Sequence, residues 1–459
     1  MMKTRTLQFT VALLSSLVLA LAFVLLVDQI PSVRADPGVL HVAPGGDCGG
    51  VSDCYGSVQE AVDAAVPGDE IRVAAGTYTD VHMRPRDDIT TTGVVTQVVY
   101  ISKMVTVRGG YTITNWADYN PDGNPTTLDA QQQGRALYIT GDISPTVEGL
   151  RITGGDAAGL GGVTVPTMDQ PFDAGGGVYV ITATAAFLNC WVFDNVADVG
   201  GGLFLAGSDA TLGGNIVTSN TAGFVGGGLC SFDSDATLNG NSFTANTAGG
   251  FGGGGLALMG GSPTLHGDAV ISNTAEGEHA SGGGLFVSGR SDATLVNTVV
   301  ADNWADFNGA ALQIADAYVD LLHSTVVHNM GGGGTGIHLH RELSSLYTTA
   351  ALTNTILVSH TVGIQADEHT TATLHATLWH ANATDWSGNV IHTNDYTGSP
   401  AFAADGYHLT ANSAAIDMGV DAGVDDDIDG ESRPVGRPDL GADEWGTRVY
   451  LPLVLRNYQ

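Results

Sequence analysis

Residues 200–229 read GGGLFLAGSDATLGGNIVTSNTAGFVGGGL, and the stretch opens and closes on the same element, three glycines followed by leucine. Leu203-Phe204-Leu205 alternates with the two-residue period of a β-strand, its first and third side chains on one face. A second short apolar segment ends at Leu212, and a third, Ile216-Val217-Thr218, leads into Asn220. None of the three is long enough for a helix. The unit is therefore three short strands separated by turns, and it returns to its starting element at Leu229.

The same unit recurs on both sides. Glycine runs precede an aliphatic residue at Val178, Leu203, Leu229, Leu256 and Leu285, and weaker copies follow at Leu312, Ile337 and Ile364. An asparagine column keeps the same step: Asn195, Asn220, Asn246, Asn273, Asn303 and Asn329. Two independent columns sharing one period of 25–30 residues mean structural repetition. One such unit cannot bury its apolar face alone, so the copies must stack. Stacking in register gives an all-β chain wound as a single-stranded solenoid, a right-handed parallel β-helix with three short strands per coil. Eight copies are clear and three more fit before them, so about eleven coils at ~4.8 Å each make a rod about 50 Å long. Each asparagine is expected to bond its neighbour one coil away, as stacked asparagines do in ladders.

Composition agrees with a solenoid. Glycine supplies 64 of 459 residues, and each coil needs sharp turns that favour positive φ. The formal charge is −32, from 16 basic and 48 acidic residues, and no lysine or arginine occurs between Arg151 and Arg290. Nucleic-acid binding, which rests on neutralising phosphates, is excluded. Docking on anionic lipid is disfavoured, and a wall this acidic repels anionic polysaccharide.

The first 35 residues read as a targeting segment: Lys3 and Arg5, an uncharged run from Leu7 to Val27, then the small-residue pattern Val33-Arg34-Ala35. The run is also long enough to span a bilayer, so a cleaved signal peptide (1–35) and a retained anchor both stand. Export permits disulfides, and Cys48 and Cys54 bracket a short loop that suits one, whereas Cys190 and Cys230 fall singly in repeat columns. Residues 36–97 form an N-terminal cap with a short amphipathic helix from Val58 to Ala65, stopped by Pro67-Gly68-Asp69. Residues 98–395 are coils, and 396–445 are an acidic segment expected to cap the last coil. Residues 446–459 are an apolar tail.

These features resemble known proteins. The stacked coils resemble the pectin-lyase-like right-handed β-helix superfamily. The glycine-glycine-aliphatic element paired with Phe243-Thr244-Ala245-Asn246 resembles the repeats of polymorphic outer membrane proteins, although the other copies mostly carry valine for phenylalanine. Ala415-Ile416-Asp417-Met418-Gly419, Arg433-Pro434 and Asp439-Leu440-Gly441-Ala442-Asp443-Glu444 resemble a C-terminal region called choice-of-anchor Q. The resemblance implies the fold and a surface setting. It implies no single activity, because the superfamily holds lyases, hydrolases and adhesins. The Asn-Thr-Asp, Gly-His-Gly and Arg-Ile-Lys segments of its polygalacturonase-like members are absent here.

No catalytic residue is assigned. Tyr179, Phe204 and Phe286 fall in the outward column of the glycine-led strand, and Trp191 is outward on another strand. Exposed together they would suit sugar faces or a partner protein; cover from the 156–174 insertion is the competing reading. Asp425, Asp427 and Asp429, followed by Gly430, have the alternate spacing of a Ca²⁺ loop, but Gly436 stands where such a loop carries glutamate. His338 and His340 flank Leu339, a pair that would need a third ligand to hold Zn²⁺. The expected protein is extracellular or on the cell surface and monomeric, with a structural, adhesive or glycan-binding role and no cofactor beyond that candidate Ca²⁺. Its partners are extracellular polysaccharide or a cell-surface protein. It meets no nucleic acid, and it meets membrane only through an uncleaved N-terminal segment or a C-terminal anchor. The alternative is a polysaccharide lyase or glycoside hydrolase on the same fold.

Overall fold

The computed structural model describes residues 37–85, 94–164, 171–343, 346–433 and 436–446. The targeting segment 1–35 and residues 447–459 of the apolar tail lie outside the described residues.

The glycine-led strands stack into one sheet of twelve. His82–Pro85 is antiparallel to its neighbour, which leaves eleven parallel strands from Val94–Ile101 to Thr384–Gly388. Register is kept coil after coil: Leu203 pairs with Leu229, Leu229 with Leu256, and Leu256 with Leu285. The other two strands of each coil form two columns of a 24-stranded sheet, in which Leu212 pairs with Leu238 and Val217 with Phe243. Leu203, Leu205, Leu212 and Val217 point inward and belong to a single core that runs from Leu40 to Trp379.

The triple glycines are required by the backbone. Gly226 has φ 71°, and a Cβ on it would lie 2.6 Å from the Leu229 carbonyl oxygen. Gly228 packs so closely on the next coil that a Cβ would meet the Gly255 oxygen at 2.6 Å. Side chains would push the coils apart there.

To the three expected strands the structure adds a fourth. Val196–Val199, Thr221–Val225, Thr247–Ala248, Thr274–Ala275 and Trp304–Ala305 follow the asparagines and form a five-stranded sheet of their own. They are two to five residues long, too short for alternation to reveal.

The helix α1 (Val58–Ala64) closes the N-terminal end. Ser57 accepts the Glu60 N–H as its N-cap. Val58, Ala61 and Val62 enter the core, and Gln59 exchanges two hydrogen bonds with the Tyr100 backbone. Cys48 and Cys54 are joined by a disulfide, while Cys190 and Cys230 are buried thiols. Among the described residues no helix is long and apolar enough to cross a membrane.

The acidic C-terminal segment does not cap the last coil. It lies along the side of the rod. Tyr407, Leu409, Ala415, Leu440 and Ala442 bury the outer faces of Val299, Val327, Ile356 and Leu378. Gly441 N–H donates to the Asn354 carbonyl at 2.8 Å, and Asn297 Nδ2 donates to the Asp426 carbonyl at 2.9 Å. The outward residues of that strand column are themselves apolar here, so the column needs an outer cover, and the segment supplies it. The last rung is left exposed, with Trp386 36% and Ile391 56% accessible.

Candidate functional site

The asparagine column is buried inside one turn of the coil. Asn220 Oδ1 accepts both the backbone N–H and the Nδ2 of Asn195, at 3.2 and 2.9 Å. Asn246, Asn273, Asn303 and Asn329 repeat the pattern, and His360 then takes the asparagine's place. Burial pushes the His360 pKa down to about 4, so its ring is neutral. A second ladder, Asn215–Asn241–Asp268, runs beside the first. Its steps of 26 and 27 residues were present in the sequence but went unread. Asp268 is wholly buried, and burial raises its pKa to about 7 against the pull of the Asn241 and His266 hydrogen bonds. These columns are structural, since their amides are spent on backbone and on the next side chain in the ladder.

The outward column of the glycine-led sheet behaves differently along its length. Tyr138, Tyr179 and Phe204 stack in successive coils with ring centroids 5.0 and 5.4 Å apart. Tyr179 and Phe204 are fully buried and Phe286 is 6% accessible, beneath Val199 and Val225 of the fourth strand and Ala174 of the insertion. Trp191 lies on the other sheet, under the Arg151 guanidinium at 4.8 Å. The four residues therefore form no common exposed face. Alternation reports which side of a strand a residue occupies, and a second layer can still cover that side.

Beyond Phe286 the column turns polar: Gln313, His338 and Gln365 occupy the next three coils. The fourth-strand sheet ends at Trp304–Ala305, so its cover stops there. A cavity of about 420 Å³ opens at that point. Phe251, His279, Phe286 and Phe307 give it an aromatic wall, and Asn308, Gln313, His338, His340, Gln365, Asp367 and Glu342 give it polar groups.

Asp367 organises the polar side. Gln365 Nε2 donates to its Oδ1 at 2.9 Å, while His338 Nε2 and His340 Nδ1 lie 3.1 and 3.0 Å from its Oδ2. Burial opposes ionisation of Asp367, yet these hydrogen bonds outweigh it and hold the carboxyl below its ordinary range. His338 is buried, and desolvation lowers its pKa despite the attraction of Asp367. His338 Nδ1 lies 2.8 Å from Gln313 Oε1, so both ring nitrogens face oxygen atoms. The site thus presents a carboxylate, planar amides and imidazole rings beside aromatic rings. The sequence singled out His338 and His340, but the carboxylate came from a neighbouring coil.

A second groove, about 840 Å³, lies beside Trp304, Met330 and Gly331–Gly334. His360 is the one ionisable side chain lining it.

The candidate Ca²⁺ loop is already engaged. Asp427 is buried, and its oxygens accept the N–H groups of Asp429, Glu431 and Glu444. Asp429 Oδ2 pairs with His408 Nε2 at 2.8 Å, and Asp425 is exposed. The three carboxylates do not form a shared ligand set. Asp429 converges instead with His408 and Asp443. Burial disfavours the His408 imidazolium, but Asp405 and Asp429 prevail and raise its pKa to about 10.

Residues 176–351 match the family model described as right handed beta helix region. The chain carries a right-handed β-helix. Among solved structures, this β-helix is similar to pectate lyase Pel9A, at 15% identity, covering 90% of this chain and 97% of that one with a TM-score of 0.46. It is also similar to the Dettilon tailspike protein, at 13% identity, covering 78% and 69% with a TM-score of 0.41. No curated protein matches the β-helix chain.

Proposed function

We propose that this β-helix is an exported, surface-displayed rod that binds glycan in the cleft between Phe286 and Gln365, without catalysis. The observation that carries the reading is the composition of one cavity wall. Aromatic rings line it together with amide, imidazole and carboxylate groups, which suits the apolar faces and hydroxyl edges of a sugar. Phe251 and Phe307 are 40% and 48% accessible, so ring surface is available for stacking. The stacked coils give the site a rigid floor. The targeting segment and the resemblance of the C-terminal region to choice-of-anchor Q support the surface setting.

The test is a glycan array together with a polysaccharide-degradation screen on the purified protein. Binding weakened by His338→Ala or Phe307→Ala, with no release of reducing or unsaturated sugar, is the expected outcome. Release of such sugars would make the protein an enzyme, and an empty array would remove the glycan reading.

A further inference from the structure

We infer that the ligand of the cleft is a glycan carrying free amino groups, its ammonium seated between Asp367, Glu342 and the phenylalanine rings. The inference rests on the glycan reading and specifies the sugar class.

The charge inventory of the cleft is one-sided. Asp367 and Glu342 line it, and no lysine or arginine does. Asp367 is anchored rather than consumed: Oδ1 takes one hydrogen bond from Gln365 and Oδ2 takes two from the histidines. A carboxylate offers about four lone-pair sites, so Oδ1 retains one for a donor from the ligand. Glu342 is exposed at the rim, and its carboxylate makes no hydrogen bond or ion pair with another described residue. Its backbone is nevertheless held, because Glu342 and Leu343 donate their N–H groups to the buried Asp316 carboxylate at 3.2 and 2.9 Å. The backbone at the mouth is thus held, and the Glu342 carboxylate there has no ion-pair partner among the described residues.

The aromatic lining favours the same charge. Phe251, Phe286 and Phe307 present π systems, which attract a cation near their faces. A uronate would meet two carboxylates and no lysine or arginine. A neutral sugar would stack but leave Glu342 unpaired. A protonated amino sugar stacks and also pairs with the carboxylates in charge-assisted hydrogen bonds.

The experiment is calorimetric titration of the full chain at low salt, at a pH where sugar amines are protonated. The probes are a glucosamine hexasaccharide, its fully N-acetylated counterpart, cellohexaose and an oligogalacturonate. The glucosamine oligomer should bind about tenfold more tightly than cellohexaose or the acetylated oligomer, and oligogalacturonate should not bind. Glu342→Gln, at an exposed position, should remove most of that preference, and Asp367→Asn should remove the rest. Equal affinity for amino and neutral oligomers, or a preference that survives both substitutions, overturns the amino-sugar inference and leaves the glycan reading intact. Failure of all four oligomers to bind overturns both.

Discussion

The Arg433 guanidinium donates to Glu444 Oε2 at 3.0 Å, and both side chains are sealed from solvent. The same guanidinium donates to the carbonyl oxygens of Asp426 and Gly441. One buried cation thereby ties together the two stretches of the C-terminal segment that lie against the rod. Removing one partner of such a pair strands a buried charge. Arg433→Met should cost about 3–5 kcal/mol. Hydrogen exchange should rise first in residues 398–446 and along the outer face of Val299, Val327 and Ile356, with the coils before Leu256 still protected. Uniform loss of protection along the whole chain would refute the lateral-clasp description.

Asp268 stands where the second ladder calls for asparagine. Its folded pKa, about 7, is above the unfolded value of 3.8. An acid with a raised folded pKa costs no stability below its unfolded pKa and is destabilising once pH passes the folded value. Asp268→Asn should therefore raise Tm at pH 8 and change it little at pH 4. The new amide would donate to the Leu238 carbonyl, as Asn241 donates to that of Leu212. Thermal melts across pH check the sign.

His408 gives the opposite slope. Its folded pKa is about 10 against an ordinary 6.5, and Asp405 beside it is lowered to about 2 from 3.8. The histidine contribution is complete below its unfolded pKa and is lost as pH rises through about 10. The Asp405 contribution is present above 3.8 and is lost as pH falls through about 2. His408→Gln should lower Tm near pH 5 by more than near pH 10. A constant difference across that range would show that the imidazolium does not hold the segment.

In the cleft, Asp367 pulls the His338 pKa up against desolvation, without overcoming it. Asp367→Asn should lower the His338 pKa further, read by NMR titration of the ring protons. An upward move would mean that the carboxylate does not face Nε2.

Asn246→Ala should leave the backbone N–H of Asn220 buried without its acceptor. The expected cost is about 1–3 kcal/mol, measured by denaturant unfolding. The same substitution at Asn389, exposed on the last rung and outside either ladder, should cost less.

Much of this was legible in the chain. A repeat spacing that holds across two columns fixes which residues stack, because every coil has the same circumference. Alternation within each strand fixes which side chains enter the core, and Leu203, Leu205 and Val217 do. The asparagine ladder followed from the same arithmetic. The cleft was only half legible: His338 and His340 share a strand, but Asp367 reaches them from the next coil and Phe251 and Phe307 from a turn column. Periodicity is a local property and therefore determined the solenoid. Cover is not periodic. Only tertiary structure decided that a fourth strand buries Tyr179 and Phe204, and that a cleft opens where that sheet ends at Ala305. Tertiary structure likewise laid the acidic segment along the flank, because exposed apolar residues on that strand column could be removed from water only by a distant part of the chain.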